Sequence, residues 1–356
     1  MSRPLVARID TAALAHNLGL ARRLAGEARI LAVIKANGYG HGLLRVARAL
    51  RAADGFAVLT LDEAEALRAE GLTHPIVMLE GFFHPDELPA LARWRLQPVI
   101  HREDQADLLM RARLDHRLDV FVKVDTGMHR LGLHPKRLKA VVARLQEAES
   151  VGHITLMTHF ANADDAGLGI VEPMQLFHEA TEGLGLPASL ANSAALLRYP
   201  QSHGDWVRPG IMLYGASPFG GQSGQDVGLL PAMTLESRLI AQRSLRKGEA
   251  VGYGSTFVAP KDMRIGIVAC GYGDGYPRHA DTGTPVLVEG HRTRTLGRVS
   301  MDMLCIDLSP IPHGHVGSLV TLWGGDLPAE EVAASAGTIA YELFTGITPR
   351  VRIEEH

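Results

Sequence analysis

The sequence predicts an α/β chain in two parts. Residues 1–225 form an N-terminal closed parallel (β/α)8 barrel, and residues 226–356 form a C-terminal, mainly β domain. Three observations predict this. Eight short apolar runs alternate with helix-like stretches through the first part. A segment rich in Gly, Ser and Gln, Ser217–Gly228, then interrupts the pattern. Beyond it, strand-like runs dominate.

The eight runs are Ile30–Ile34, Phe56–Leu61, Ile76–Leu79, Leu96–Ile100, Val120–Val124, Ile154–Met157, Ala188–Ala191 and Ile211–Tyr214. Short continuous apolar runs of this kind suit strands buried on both faces. The stretches between them carry helix signals. Asp62 reads as an N-cap and Gly71 as a stop for a helix over 63–70. Leu138, Val141, Val142 and Leu145 make an apolar stripe within His134–Glu147. Eight strands alternating with helices suggest the closed TIM-barrel arrangement. A doubly wound sheet usually has fewer strands, and no dinucleotide-binding glycine turn follows the first run. In the second part, turns are expected at Arg246–Gly248 and Glu289–Arg292, with helix only near Ala329–Ala336 and Ile339–Leu343.

Composition narrows the function classes. With 46% apolar residues, the 356-residue chain can bury a sizeable core. A formal net charge of −3 and the lack of a long basic run argue against nucleic acid or an anionic membrane as partner. No run of about 18 apolar residues suggests a span, and the first residues carry no apolar stretch of signal-peptide length. Two cysteines, Cys270 and Cys305, both in apolar segments, fit a cytoplasmic protein.

Barrel chemistry gathers where the strands end. Reading off those ends picks out Lys35, Lys123 with Asp125, His159, Asn192 with Ser193, and Arg208 just before the last run. A lysine beside an apolar strand loses its proton more readily and can form a Schiff base with a carbonyl. Barrels often hold phosphate after strands 7 and 8, where this chain offers Ser193 and the backbone of Arg208–Ile211. Together these point to pyridoxal phosphate, with a cofactor-free Schiff-base aldolase as the competing reading. The 17 histidines show no close metal-ligand spacing, so no metal site is expected.

These segments resemble the alanine racemase family over nearly the whole chain. The resemblance rests on AVIKANGYGHG (32–42), DTGMHRLG (125–132), THFANAD (158–164), ANSAA (191–195), WVRPGIMLYG (206–215), VGYGSTF (251–257), GYGDGYPR (271–278) and GRVSMDM (297–303). It implies pyridoxal 5'-phosphate as cofactor and interconversion of L- and D-alanine by two bases acting on the Schiff base of substrate and cofactor. Such an activity serves cell-wall D-alanine supply or alanine breakdown. A broader racemase, acting for example on serine, is the alternative. The resemblance also implies a homodimer whose active sites are shared between subunits.

By matched position, Lys35 is the cofactor lysine and the base on the D face, and Tyr253 is the opposing base for L-alanine. Arg208 meets the pyridine nitrogen, supported by His159. Tyr39, Asn192, Ser193, Tyr341 and the backbone at Gly210 and Ile211 hold the cofactor and its phosphate. Arg130 and the Met301 N–H orient the substrate carboxylate. Lys123 matches a lysine that some members carry as a carbamate. Ala194 stands where a proline often follows the Asn-Ser pair.

Overall fold

The computed structural model describes residues 3–355. The chain begins with β1 (Val6–Ile9) and then enters a closed parallel barrel. Its strands are β2 (Arg29–Val33), β3 (Gly55–Val58), β4 (Ile76–Met78), β5 (Leu96–Ile100), β6 (Leu118–Lys123), β7 (Val151–Met157), β8 (Ala188–Asn192) and β9 (Trp206–Arg208). Pairing of Arg29 with Trp206 and Ile30 with Val207 closes the ring. Ile30, Leu31, Ala32 and Ile34 are all fully buried, as strands covered on both faces require.

Seven of the eight expected runs coincide with barrel strands. The eighth does not. Ile211–Tyr214 is a short, tight helical turn, and the closing strand is Trp206–Arg208, which precedes it. A four-residue buried apolar run carries no periodicity that separates strand from helix. Arg208 therefore lies not before the last strand but at its C-terminal end, at the barrel mouth. The helix Leu61–Ala69 is not capped by Asp62. Its cap is Thr60, whose Oγ1 accepts from the Glu63 N–H while the Glu63 carboxylate accepts from the Thr60 N–H. Asp62 lies inside the first turn. The helix Pro135–Gln146 buries Leu138, Val141, Val142 and Leu145, the stripe expected from spacing.

The second unit is built on an eight-stranded sheet. Its spine is β10 (Met233–Leu245), a 13-residue strand whose register shifts at Leu235/Glu236 and at Leu239/Ala241. Such shifts bend a strand and let it serve more than one set of neighbours. β1 lies in this sheet, antiparallel to β10 and parallel to Arg352–Glu355. The first strand of the chain therefore belongs with the C-terminal unit, although residues 1–225 were expected to be barrel. The turn expected at Glu289–Arg292 joins Pro285–Val288 to His291–Leu296.

Ser217–Gly228 is no slack linker. The Glu330 Oε1 accepts from the N–H groups of Ser217 and Gly224, both at 2.7 Å, and straps the segment to the helix Ala329–Ser335. The helix Ala340–Thr345 then returns the chain to the barrel mouth.

Candidate active site

One cavity of about 770 Å³ opens at the C-terminal end of the barrel. Lys35, Tyr39, Lys123, Arg130, His159, Asn192, Ser193, Arg208, Gly210, Ile211 and Tyr341 all line it. Eleven of the fourteen residues singled out from sequence thus meet in one place, and Tyr341 reaches it from the second unit. A larger open cleft of about 1250 Å³, between the 125–139 segment and the helix Val171–Thr181, holds only Asp125 of the fourteen.

Lys35 follows β2 after one residue, Ile34, and opens an unusual turn. Ala36, Asn37, Gly38 and Tyr39 all have positive φ, between 49° and 61°. Left-handed backbone costs an ordinary L-residue about 1–2 kcal/mol, so Ala36, Asn37 and Tyr39 together need outside support. Asn37 supplies part of it, since its Oδ1 accepts from the Leu43 N–H at 2.9 Å and its carbonyl accepts from Gly42 at 2.8 Å. Tyr39 is pinned by stacking on Tyr214, with ring centroids 4.5 Å apart. Tyr214 in turn donates its hydroxyl to the Val33 carbonyl at 3.0 Å, on the strand that leads to Lys35. Gly40 must be glycine, because a Cβ there would lie 2.0 Å from the Phe344 carbonyl.

The cavity is strongly cationic. Lys35, Lys123, Arg130 and Arg208 line it, and Glu80 is the only carboxylate among the described lining residues. Burial lowers the Lys35 amine, Arg130 lowers it further, and Glu80 and Glu63 partly oppose the shift. Lys123 is pushed down to about 8, first by burial and then by Arg208 and Arg130. Arg208 is fully enclosed and falls to about 10 for the same reason, so it remains a cation at neutral pH. Its guanidinium donates to Ser189 Oγ at 2.7 Å, to the Thr158 carbonyl at 2.6 Å, to the Leu190 carbonyl at 3.1 Å and to His159 Nδ1 at 3.2 Å. His159 sits well below its ordinary value, held down by burial and then by Arg208, Lys123, Arg130 and Lys35.

Opposite lies a polar cradle. Ser193 Oγ accepts from the Gly210 N–H at 2.8 Å and the Met212 N–H at 3.4 Å. Its hydroxyl proton is left free to donate. The Gly210 N–H is thereby used within the chain, whereas the Ile211 N–H has no partner among the described residues. Burial raises Tyr39 to about 12 and raises Tyr341 as well, so both phenols stay neutral donors. Asn192 caps the helix Ser193–Arg198 through its Oδ1.

Tyr253 and Met301 do not join the cavity of their own chain. They lie on the second unit, 72% and 52% exposed.

The family model "Alanine racemase, N-terminal domain" matches residues 9–218, and "Alanine racemase, C-terminal domain" matches residues 232–354. The chain belongs to the alanine racemase family. It is 53% identical over 354 residues to "Alanine racemase, catabolic" of Klebsiella aerogenes, covering 99% of each chain. It is 58% identical over 353 residues to the alanine racemase of Thiobacillus denitrificans, covering 99% of this chain and 96% of the relative. The crystal structure of biosynthetic alanine racemase from Pseudomonas aeruginosa superposes with a TM-score of 0.97 at 46% identity, over 99% of both chains.

An alanine racemase uses pyridoxal 5'-phosphate, and the residues present fit that group. The Lys35 amine is unpaired and depressed. The free Ser193 hydroxyl, the Ile211 N–H and two neutral phenols face a site whose net positive charge suits a phosphate. Gly210 leaves room that a Cβ, 2.7 Å from Tyr39 Oη, would fill.

Three contributors escaped sequence reasoning. Glu80 follows β4 in the strand-end position that revealed the others. Ser189 is a hydroxyl within the expected apolar run Ala188–Ala191. Both signals were available in the chain. Tyr214 sits in an aliphatic run that reads as core, and nothing local separates it from packing.

Proposed function

We propose that this alanine racemase interconverts L- and D-alanine with Lys35 and Tyr253 as opposed bases, in a homodimer that completes each site with residues of both subunits. The observation that carries the reading is the cavity that joins the unpaired, depressed Lys35 amine to a phosphate cradle and a buried Arg208–His159 pair.

Bound pyridoxal 5'-phosphate withdraws electrons from the amino acid and so acidifies its Cα proton. Lys35 would hold the cofactor and would take or return the Cα proton on one face. Tyr39, Ser193, Tyr341 and the Ile211 N–H would hold the phosphate. Arg208 would face the pyridine nitrogen with its Nε–H, which has no partner among the described residues. As an arginine it stays protonated and cannot act as a carboxylate would. Arg130 and the Met301 N–H would fix the substrate carboxylate. Racemisation needs a second base on the other face, and Tyr253 fills that role.

The exposure of Tyr253 and Met301 supports the shared site: both are far too open for groups that act in a cavity of their own chain. Lys123 is unpaired between Arg130 and Arg208, and its neutral fraction near pH 8 favours addition of CO2. The resulting carbamate would give both arginines an anionic partner, and intact mass in bicarbonate buffer tests this. Alanine is the substrate favoured, since the relatives carry that name; serine has no observation behind it. We place the protein in the cytoplasm, in keeping with the two free cysteines and with the absence, among the described residues, of a helix able to cross a membrane.

Incubation with L- or D-alanine in heavy water tests the mechanism. Each isomer is expected to yield the other with deuterium at Cα. Product without solvent label would overturn the proton-transfer reading.

A further inference from the structure

We propose that Asp274 is a positioning residue for substrate binding: its buried carboxylate clamps the loop that presents the Met301 N–H to the active site of a second copy. The inference rests on the shared site proposed above.

Asp274 lies in the Gly271–Gly275 turn with its side chain fully buried. Its Oδ1 is 2.5 Å from Arg3 Nη1 and 3.2 Å from Arg350 Nε, and its Oδ2 accepts from the Gly271 N–H at 2.9 Å. Both arginines continue to the residue after Met301. Arg350 Nη2 is 2.5 Å from Asp302 Oδ1, and Arg3 Nη2 donates to the Asp302 carbonyl. One carboxylate thus holds two cations that grip the same neighbour of Met301, one from each end of the chain.

The backbone repeats the connection. Tyr272 donates to the Ser300 carbonyl at 3.0 Å and Gly273 to the Met301 carbonyl at 2.9 Å. The Met301 peptide is fixed through its carbonyl and through Asp302, while its own N–H has no partner among the described residues. That is the state expected of a donor held ready for a ligand. Orientation of a carboxylate by one N–H is sensitive to shifts of about 1 Å, so the clamp bears on binding. Removing a buried charge also leaves its partners uncompensated, which loosens the loop further.

The same turn also rests on the chain's own cofactor side. Thr348 donates its N–H to the Asp274 carbonyl at 3.2 Å, just beyond the helix that carries Tyr341. The test must separate the two directions, and hybrid dimers do so. The Asp274→Asn homodimer is expected to raise KM for L-alanine about tenfold, the loss of one charged hydrogen bond, with kcat and cofactor absorbance little changed. A hybrid of an Asp274→Asn chain with a Lys35→Ala chain has one competent site, whose Met301 comes from the chain with intact Asp274. Its KM should return to the wild-type value. A hybrid of wild type with a Lys35→Ala, Asp274→Asn chain should keep the raised KM. Arg350→Gln, at a partly exposed residue, carries the same expectation should the buried change prevent folding.

An unchanged KM in folded Asp274→Asn and Arg350→Gln overturns the proposal. So does a KM that follows the Lys35-bearing chain, which would locate the effect in the chain's own cavity. The shared site is checked separately by mixing Lys35→Ala with Tyr253→Phe chains. Regained activity confirms the sharing whatever Asp274 does; an inactive mixture removes the basis of both.

Discussion

Arg208 Nη2 donates to His159 Nδ1 at 3.2 Å, and the sense of that bond fixes the protonation of both residues. A guanidinium only donates, so Nδ1 is the bare nitrogen and the imidazole proton is on Nε2. Burial and the surrounding cations hold His159 neutral, while Arg208, at about 10, remains charged. The pair therefore carries one positive charge across the neutral range, and Arg208 hydrogen-bonds no carboxylate among the described residues.

Arg208→Glu tests what that arrangement does. A carboxylate could keep the pyridine nitrogen protonated and strengthen electron withdrawal. Racemisation is expected to fall by about 100-fold, and alanine to leak to its keto acid with its amino group passing to the cofactor, because stronger electron withdrawal would favour return of the proton to the cofactor rather than to Cα. A coupled keto-acid assay reads the leak beside the racemisation rate. Loss of activity with no keto acid would mean that Arg208 serves only to position the cofactor.

Lys35 and Tyr253 should separate by direction. Lys35→Ala is expected to lose covalent cofactor absorbance and both directions of turnover. Tyr253→Phe should retain the cofactor but lose deprotonation of L-alanine by about 10²–10⁴-fold, the usual worth of a positioned base. Solvent deuterium entering L-alanine at the wild-type rate in Tyr253→Phe would remove the tyrosine from the mechanism.

Gly210→Ala should weaken the cofactor without unfolding the barrel. The added Cβ would sit 2.7 Å from Tyr39 Oη and 3.7 Å from Val33 Cβ, inside the proposed phosphate cradle. Titration of the apoenzyme should show a cofactor Kd raised about tenfold, the effect of displacing one hydrogen-bonding group. Wild-type affinity would place the phosphate elsewhere.

Most of the site was legible because barrel strands end in polar residues that the core cannot use. Lys35, Lys123, His159 and Asn192 stand out against Val, Ile and Leu for that reason. The closing strand was missed because Trp206–Arg208 is only three residues long and the richer run after it, Ile211–Tyr214, is a buried turn. Pairing of Val6–Ile9 with β10 is long-range, and no local pattern announces it. The left-handed turn at Ala36–Tyr39 is equally silent, since three of its four residues are not glycine and the stack of Tyr39 on Tyr214 that supports it joins distant segments. Tyr253 and Met301 do not line the cavity of their own chain, so neither strand ends nor burial points to them, and only their motifs carry the expectation.

Lys123 links the site to stability. Its ordinary value of 10.5 is lowered to about 8 in the folded chain, first by burial. Below pH 8 the amine is charged in both states, and the folded state bears the full cost of enclosing it, on the order of 3 kcal/mol. Between about pH 8 and 10.5 the unfolded chain binds more protons than the folded one, so stability rises with pH across that window. In CO2-free buffer, Lys123→Met is expected to be more stable than wild type at pH 7 and to lose the part of the rise that Lys123 supplies. Lys35 is lowered as well and adds a rise of the same sign, but it is common to both proteins. Urea midpoints measured from pH 7 to pH 10 on the two chains isolate the difference. Parallel curves would mean that the folded chain does not depress Lys123, and the case for its conversion to a carbamate would fall with it.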